Sequence, residues 1–209
     1  GVSALQGEKI LITPFNDCEA LEELFNARGE QIACLIMEPC PSGAGFVAAT
    51  DAFMSRAREM TARWGALLIL DEIITGFRFC SAGMARLYGV RPDLSTFGKI
   101  VGGGMPIAAV VGRADIMALI GADHPNRVWF NGGTFSAHPL SMVAGERMLT
   151  YLMAHGDQLY QQLREKGEAL RSGVEAAFLA HGIVARCTGQ GTETIPGGSL
   201  AAISFPRHA

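Results

Sequence analysis

The chain has 209 residues, 49% of them hydrophobic and 18% charged, so it is long enough to bury a core and has neither a disordered nor a coiled-coil composition. Its net charge of −3 excludes the basic surface of a nucleic-acid-binding protein and a polybasic membrane segment. No apolar run reaches the length of about 18 residues that would predict a membrane span. Glycine is enriched at 26 residues, which indicates many tight turns and close backbone approaches.

The five cysteines are scattered and form no CxxC pair, which favours a reducing, cytoplasmic setting. The five histidines are scattered as well, so no metal site is predicted. The first residues lack the basic region and apolar stretch of a signal peptide. The chain also begins with glycine instead of methionine, and we expect an internal cut there.

Taken in chain order, apolar runs alternate with helical patterns, which predicts an α/β fold with a mostly parallel sheet and helices on both faces. The apolar run at 32–37 is typical of a strand buried on both faces. Gly65 is expected to end the second helix. Strands are predicted at 9–13, 32–37, 66–70, 94–97 and 107–111, and helices from a cap at Asn16 to Arg28, at 51–64 and near 82–88.

The pattern changes after residue 134. Helices are predicted over 137–154 and 157–180, the second with an apolar stripe that includes Leu170. Strands are predicted over 183–186 and 200–205. A domain boundary near His155-Gly156 divides the chain into two units, residues 1–155 and 156–209.

A carboxylate follows one of the predicted buried strands. Ligands of open α/β sheets bind at the carboxyl ends of the strands, and Asp71 comes directly after the strand at 66–70. If the extended pattern continues, Asp71 and Ile73 point the same way. A charge beside a branched apolar side chain suits a heterocycle with a basic ring nitrogen. The alternative is that Asp71 caps a following helix.

One of the three lysines stands apart from other charges. Lys99 precedes the triple glycine at 102–104, with no other charged residue between 94 and 111. Apolar surroundings disfavour the charged ammonium, and a neutral amine is what a Schiff base requires. The glycines allow a tight turn and close approach to a ligand. The alternative is a surface lysine on a glycine-rich turn.

The third element is Gly132-Gly133-Thr134, just before a predicted helix. Glycines and a hydroxyl at a helix N-terminus can bind phosphate through free N–H groups and the helix dipole. The alternative is a plain turn in which Thr134 caps the helix. Neither a P-loop nor a strand-associated GxGxxG motif occurs, which argues against a dinucleotide-binding oxidoreductase. A carboxylate, a buried lysine and a phosphate loop together match the needs of pyridoxal phosphate.

The motifs DEIITGFR at 71–78 and PDLSTFGKIVGGGMP at 92–106, with Glu38-Pro39 and GTFS at 133–136, resemble the class III pyridoxal-phosphate aminotransferases. The nearest subgroup is similar to glutamate-1-semialdehyde aminomutase and the β-amino-acid aminotransferases. The resemblance implies the fold-type I architecture. Residues 1–155 would then be the later part of the large cofactor domain, and residues 156–209 a connecting helix and the beginning of a small α+β domain.

The resemblance also implies roles for single residues. Lys99 would form the internal aldimine with pyridoxal 5′-phosphate and carry a proton between Cα and C4′. Asp71 would keep the pyridine nitrogen protonated, and Ile73 would pack on the ring. Thr134, beside Gly133, would contact the cofactor phosphate across a homodimer interface. Glu38 would line the active site, where a small amino-acid or amino-ketone substrate reacts.

The chain departs from the family pattern in two ways. Ala108 and His138 replace a usual glycine and asparagine, and His138 could alter substrate contacts. The family also has a long section before this chain's start, with another phosphate loop, and continues beyond its end. We therefore expect a central piece of an aminotransferase or aminomutase. The alternative is a catalytically incomplete chain with a structural or interaction role.

Overall fold

The computed structural model describes residue 7 and residues 9–121, 123–128 and 133–206. Short 3₁₀ turns at Gly29–Gln31, Lys99–Gly102 and Ala118–Ile120 separate some of the regular elements. The helices are α1 (Cys18–Arg28), α2 (Asp51–Trp64), α3 (Met84–Leu87), α4 (Ala114–Met117) and α5 (Pro139–Leu179), and the strands are β1 (Cys34–Met37), β2 (Leu67–Glu72), β3 (Leu94–Phe97), β4 (Ala109–Gly112), β5 (Arg186–Cys187) and β6 (Ile203–Ser204).

Four of the strands form one sheet in the order β1-β2-β3-β4. The first three strands are parallel and β4 is antiparallel to β3, which confirms the predicted α/β fold with a mostly parallel sheet. The carboxyl ends of β1, β2 and β3 therefore meet at one edge. In this register Met37 lies opposite Leu70, and Asp71 lies opposite Thr96.

The core lies between this sheet and the first two helices. Leu68 and Leu70 of β2 are fully buried and pack with Leu21 and Phe25 of α1 and with Met54 of α2. Burial alternates along β2, because successive side chains of a strand point to opposite faces. Residue 71 therefore belongs to the face of β2 that points away from this core.

Strand β1 corrects the expectation of a strand buried on both faces. Leu35 and Met37 pack against the core, whereas Cys34 is exposed and Ile36 is 60% exposed. Within the described residues β1 is an edge strand of the sheet, and the face that carries Ile36 is open to solvent. An apolar run alone does not distinguish one covered face from two.

Two predictions near the start of the chain are wrong. The apolar residues 9–13 form no strand, and Ile12 is 89% exposed. Asp17, and not Asn16, caps α1, since the Asp17 carboxylate accepts a hydrogen bond from the Ala20 amide at 2.9 Å. Asn16 has a φ of 64°, outside the extended region of an N-cap. Its side chain instead bonds the backbone of Ala48 and Thr50.

The middle of the chain follows the predictions closely. Helix α2 spans the predicted residues and ends at Gly65, whose φ of 70° is the left-handed conformation expected of a C-terminal glycine. Strand β3 also has its predicted bounds. The helix predicted near 82–88 is the single turn α3, and the strand predicted over 107–111 is β4.

The two helices predicted after residue 137 are one continuous helix, α5, of 41 residues. At 1.5 Å per residue it is about 60 Å long. Gly156 is buried in the middle of α5, beside Ser81, so it does not interrupt the helix. The expected boundary between residues 155 and 156 falls inside α5, and the division into two domains stays a prediction.

The buried stripe of α5 differs from the predicted leucine stripe. Leu170 is 59% exposed, because the helix packs through another set of residues. The buried positions in the second half of α5 include Tyr160, whose hydroxyl donates a 2.8 Å hydrogen bond to the Phe77 carbonyl. Arg171 is 3% exposed and donates to the Gly198 carbonyl at 2.8 Å. Tyr160 therefore connects α5 to the loop after β2, and Arg171 connects it to the C-terminal segment.

Of the strands predicted at 183–186 and 200–205, the first is displaced to Arg186–Cys187 and the second is shortened to Ile203–Ser204. They are the two-residue strands β5 and β6, which pair antiparallel. In the described part of the chain, no helix has the length and hydropathy needed to cross a membrane. The five cysteines carry free thiols. The cytoplasmic setting stays a prediction.

The buried carboxylate of Asp93, just before β3, forms hydrogen bonds to β2, to α2 and to the residue after β4. Asp93 is 3% exposed and accepts hydrogen bonds from the Leu68 amide at 2.7 Å, from Arg58 at 2.8 Å and from Arg113 at 2.7 Å. Burial raises the pKa of Asp93. The hydrogen bonds from the Leu68 amide, Arg113 and Arg58 outweigh that effect and hold the pKa below its ordinary value. The ionised form therefore stabilises the fold.

We expect Asp93→Asn to lower the free energy of unfolding by about 2–4 kcal/mol at pH 7, because two arginines lose a buried anionic partner. A depressed folded pKa gives stability that is present above the unfolded pKa, about 4, and is lost as the pH falls through the folded value. The gap between wild type and variant in urea denaturation should therefore narrow below pH 4. Asp115→Asn, at the exposed partner of Arg113, is the control and should change stability little. An equal gap at pH 3 and pH 7 would contradict the role of the charge.

Candidate active site at the carboxyl edge of the sheet

The carboxylate of Asp71 is held at one of its two oxygens. Its Oδ1 accepts a hydrogen bond from the Ile73 amide at 3.1 Å and another from the Thr96 hydroxyl at 3.0 Å. Among the described residues Oδ2 has no hydrogen-bond partner. Asp71 is half-buried and caps no helix, so it offers one free acceptor at the edge of the sheet.

Ile73 reaches the same edge by a different route from the predicted one. Strand β2 ends at Glu72, so the alternation of an extended strand does not extend to Ile73. The hydrogen bond from its amide to Asp71 forms a tight turn instead. A Cβ atom placed on Gly98 would lie 3.2 Å from Ile73 Cγ2. The glycine before Lys99 therefore lets the Ile73 side chain pack directly on the backbone after β3.

A buried glutamate holds the loop that follows β2. Glu72 is fully buried, and its carboxylate accepts hydrogen bonds from the amides of Met84 at 2.6 Å and Ala85 at 3.3 Å. Burial raises the pKa of Glu72, and these hydrogen bonds partly offset that effect. The ring of Phe77, in the loop, lies 5.2 Å from that of Phe97 at the end of β3. Both contacts fix the loop against the strands that carry the site.

Lys99 lies two residues beyond the end of β3 and begins a 3₁₀ turn. Its side chain is exposed, which corrects the expectation of a buried lysine. Lys99 lies in the turn after β3, beyond the last paired residue of that strand. Lys99 has a φ of 51°, in the left-handed region that non-glycine residues rarely adopt. Such backbone strain is concentrated at functional sites.

The triple glycine forms the predicted tight turn, with a φ of 57° at Gly103. A Cβ atom placed on Gly103 would lie 2.9 Å from the Ala144 carbonyl oxygen of α5. We predicted that the glycines allow close approach of the backbone to a ligand. At Gly103 the backbone instead approaches helix α5. This contact fixes the segment after Lys99 against α5.

The predicted phosphate loop lies in front of α5. Gly132 is outside the described residues. The Gly133 amide donates a 2.8 Å hydrogen bond to the Ser136 hydroxyl, and Thr134 is exposed. His138 occupies the N-cap position of α5, so Thr134 does not cap that helix. The hydrogen bonds of the described residues do not join Gly133 or Thr134 to Asp71 or Lys99.

Glu38 lies at the same edge, one strand away from Asp71. It directly follows Met37, the last residue of β1, and Asp71 directly follows Leu70, the residue opposite Met37 in β2. Glu38 is half-buried, and its Oε2 accepts a 3.4 Å hydrogen bond from the Ser42 amide. The structure thus brings Glu38, Asp71 and Lys99 to one edge.

Comparison with known proteins identifies the family to which the chain belongs. Residues 7–194 match the family described as Aminotransferase class-III. A glutamate-1-semialdehyde 2,1-aminomutase of Sulfurihydrogenibium azorense is 44% identical over 163 residues, which are 78% of this chain and 37% of that protein. An omega-transaminase of Sphaerobacter thermophilus superposes with a TM-score of 0.80 at 36% identity, over 94% of this chain and 42% of that one.

A third likeness concerns the cofactor. The PLP internal aldimine form of the Sphingopyxis sp. MTA144 FumI protein superposes with a TM-score of 0.83 at 26% identity, over 99% of this chain and 47% of that one. The sheet and its helices therefore have the fold of the fold-type I pyridoxal-phosphate-dependent transferases. Within that class, the chain belongs to the class III aminotransferase family. It spans less than half the length of these relatives.

The family implies pyridoxal 5′-phosphate, and the edge of the sheet fits that cofactor. A free carboxylate oxygen of Asp71 suits a protonated ring nitrogen, and the branched side chain of Ile73 suits a ring face. The exposed amine of Lys99 suits the carbonyl carbon. These three groups lie on β2, on the turn after it and on the turn after β3, within one connected set of contacts.

The predictions from sequence missed Thr96 and Glu72. Thr96 lies in the motif around Lys99, but its importance depends on the register that sets it opposite Asp71. Pairing register is set by tertiary structure, so a single strand carries little signal of it. Glu72 follows Asp71 directly. Its position at the end of an apolar strand was the one sequence feature that could have indicated a buried glutamate.

The strained backbone at Lys99 predicts an unusual order of stabilities in the cofactor-free protein. We expect Lys99→Gly to be more stable than Lys99→Ala by about 0.5–1 kcal/mol, since glycine relieves about 1–2 kcal/mol of left-handed strain and loses part of this to chain entropy. Chemical denaturation measures the difference.

Lys166, exposed within α5, provides the matched control. There glycine should be less stable than alanine by about 1 kcal/mol, because helix interiors disfavour glycine. The same order at both positions would show that Lys99 carries no backbone strain.

Proposed function

We propose that the protein carrying this chain transfers amino groups with pyridoxal 5′-phosphate bound at Lys99. The observation that carries the proposal is the contact set at the sheet edge: Asp71 bonded to Thr96 across the two strands, and Ile73 packed on Gly98 beside Lys99. The substrate class is a small amino acid or amino ketone, in keeping with relatives named as an aminomutase and a transaminase.

Asp71 and Ile73 would hold the cofactor ring. Oδ2 of Asp71 would accept a hydrogen bond from the ring nitrogen and keep that nitrogen protonated. Pyridoxal phosphate, when bound, supplies an electron sink that stabilises negative charge next to the substrate amine. Ile73 would cover one face of the ring and exclude water from it. The turn that joins the two residues fixes their relative position.

Lys99 would act twice at its Nζ atom. Its amine would hold the cofactor covalently at the carbonyl carbon, with loss of water. With substrate bound, the same amine would move a proton between the substrate Cα and the cofactor side of the site. The left-handed backbone at Lys99 supports this assignment, since backbone strain of this kind is concentrated at functional sites.

Gly133 and Thr134 would bind the cofactor phosphate of a neighbouring subunit. Both residues are exposed in front of α5 and, in the part of the chain that the structure describes, make no hydrogen bond to Asp71 or Lys99. This is compatible with binding the cofactor of a second copy of the chain. A homodimer with shared active sites follows from this assignment. Glu38, at the carboxyl end of β1, would line the substrate side of the site.

The test is to add pyridoxal phosphate to the intact protein, record the visible absorption band, reduce with borohydride and map the modified residue. We expect the modification at Lys99, because this amine lies at the sheet edge with Asp71. Lys99→Ala should abolish the adduct and amino-group transfer while leaving the circular dichroism spectrum unchanged.

The matched variant Lys166→Ala, at an exposed lysine of α5, should keep both the adduct and the transfer. Pyridoxal phosphate can modify surface lysines without specificity, so this pair separates the two cases. Amino-group transfer that survives Lys99→Ala would overturn the proposal.

A further inference from the structure

Thr96 contacts the candidate cofactor-binding carboxylate and has no other assigned task. It lies on β3 directly opposite Asp71 of β2. Its hydroxyl donates to Oδ1 of Asp71 at 3.0 Å, and the Ile73 amide donates to the same oxygen at 3.1 Å. The carboxylate is therefore held by two donors, one from each of two different elements.

We propose that Thr96 is a positioning residue, which acts through Asp71 on the binding of pyridoxal phosphate. This inference rests on the function proposed above. With Oδ1 occupied by Thr96 and Ile73, the carboxylate plane is fixed and Oδ2 stays available for the ring nitrogen. The hydroxyl also stabilises the negative charge that the ring nitrogen requires. Thr96 itself need not contact the cofactor.

The donor from Thr96 differs in kind from the donor of Ile73. The Ile73 amide belongs to the turn next to Asp71 and bonds the carboxylate locally. The Thr96 hydroxyl reaches across from β3, the strand that leads to Lys99 three residues later. This hydrogen bond therefore links the position of the Asp71 carboxylate to the strand that precedes Lys99. The carboxylate and the amine are thereby positioned to contact the same ligand.

The loss of the hydroxyl has a predictable size. Thr96→Val keeps the branched shape that suits a strand and removes only the hydroxyl. A hydrogen bond to a charged group contributes enough that its loss should weaken pyridoxal-phosphate binding about tenfold. The visible absorption of the bound cofactor should also change, since it responds to the protonation of the ring nitrogen.

The experiment measures the dissociation constant of pyridoxal phosphate and the visible spectrum for the intact protein and three single variants. Thr96→Val should weaken binding and alter the spectrum, and Thr96→Ser should restore both, since serine keeps the hydroxyl. Ser95→Ala removes a hydroxyl one residue earlier, on the opposite face of β3, and should leave both unchanged. Thermal unfolding of the cofactor-free variants establishes that each is folded.

A double-mutant cycle with Asp71→Asn tests whether Thr96 acts through Asp71. If it does, Thr96→Val should have little further effect in the Asp71→Asn background. An equal tenfold loss in both backgrounds, or wild-type binding by Thr96→Val, would overturn the role of Thr96 while Lys99 still forms its adduct. Failure of the wild-type protein to form that adduct would instead overturn the proposed function.

Discussion

The parallel pairing of β2 with β3 is the constraint on which the candidate site depends. Backbone hydrogen bonds fix Asp71 opposite Thr96, and the same register brings the turn after β2 against the turn after β3. A shift of one residue would turn Asp71 toward the buried core of Leu68 and Leu70. Asp93 secures this pairing at the other end of β3, through the Leu68 amide and two arginines.

Buried polar groups hold the segments of the site that have no regular structure. Glu72 bonds the amides at the start of α3, and Tyr160 of α5 bonds the carbonyl of Phe77. Gly103 lets α5 contact the segment that follows Lys99. The loop after β2 is therefore fixed both to the sheet and to a helix, and the turn after β3 is fixed to α5 and to Ile73 of that loop. Such support is what a site needs to hold a cofactor in one orientation.

The sequence alone predicted those features that depend on local pattern. The bounds of α2 and β3, the cap at Gly65 and the turn at the triple glycine follow from apolar period and glycine position. The exposure of Ile36 and Lys99 could not be predicted, because it depends on which elements cover each face. The bond between Asp71 and Thr96 joins residues 25 positions apart and exists only in the paired sheet.

The open face of β1 has a practical consequence for work with the 209-residue chain by itself. Within the described residues β1 is an edge strand, and Ile36 of this strand is 60% exposed. An exposed apolar strand edge is a template for pairing with another chain, and natural proteins usually blunt or cover such edges. Expressed alone, the 209-residue chain should self-associate through this strand, to an extent that rises with protein concentration.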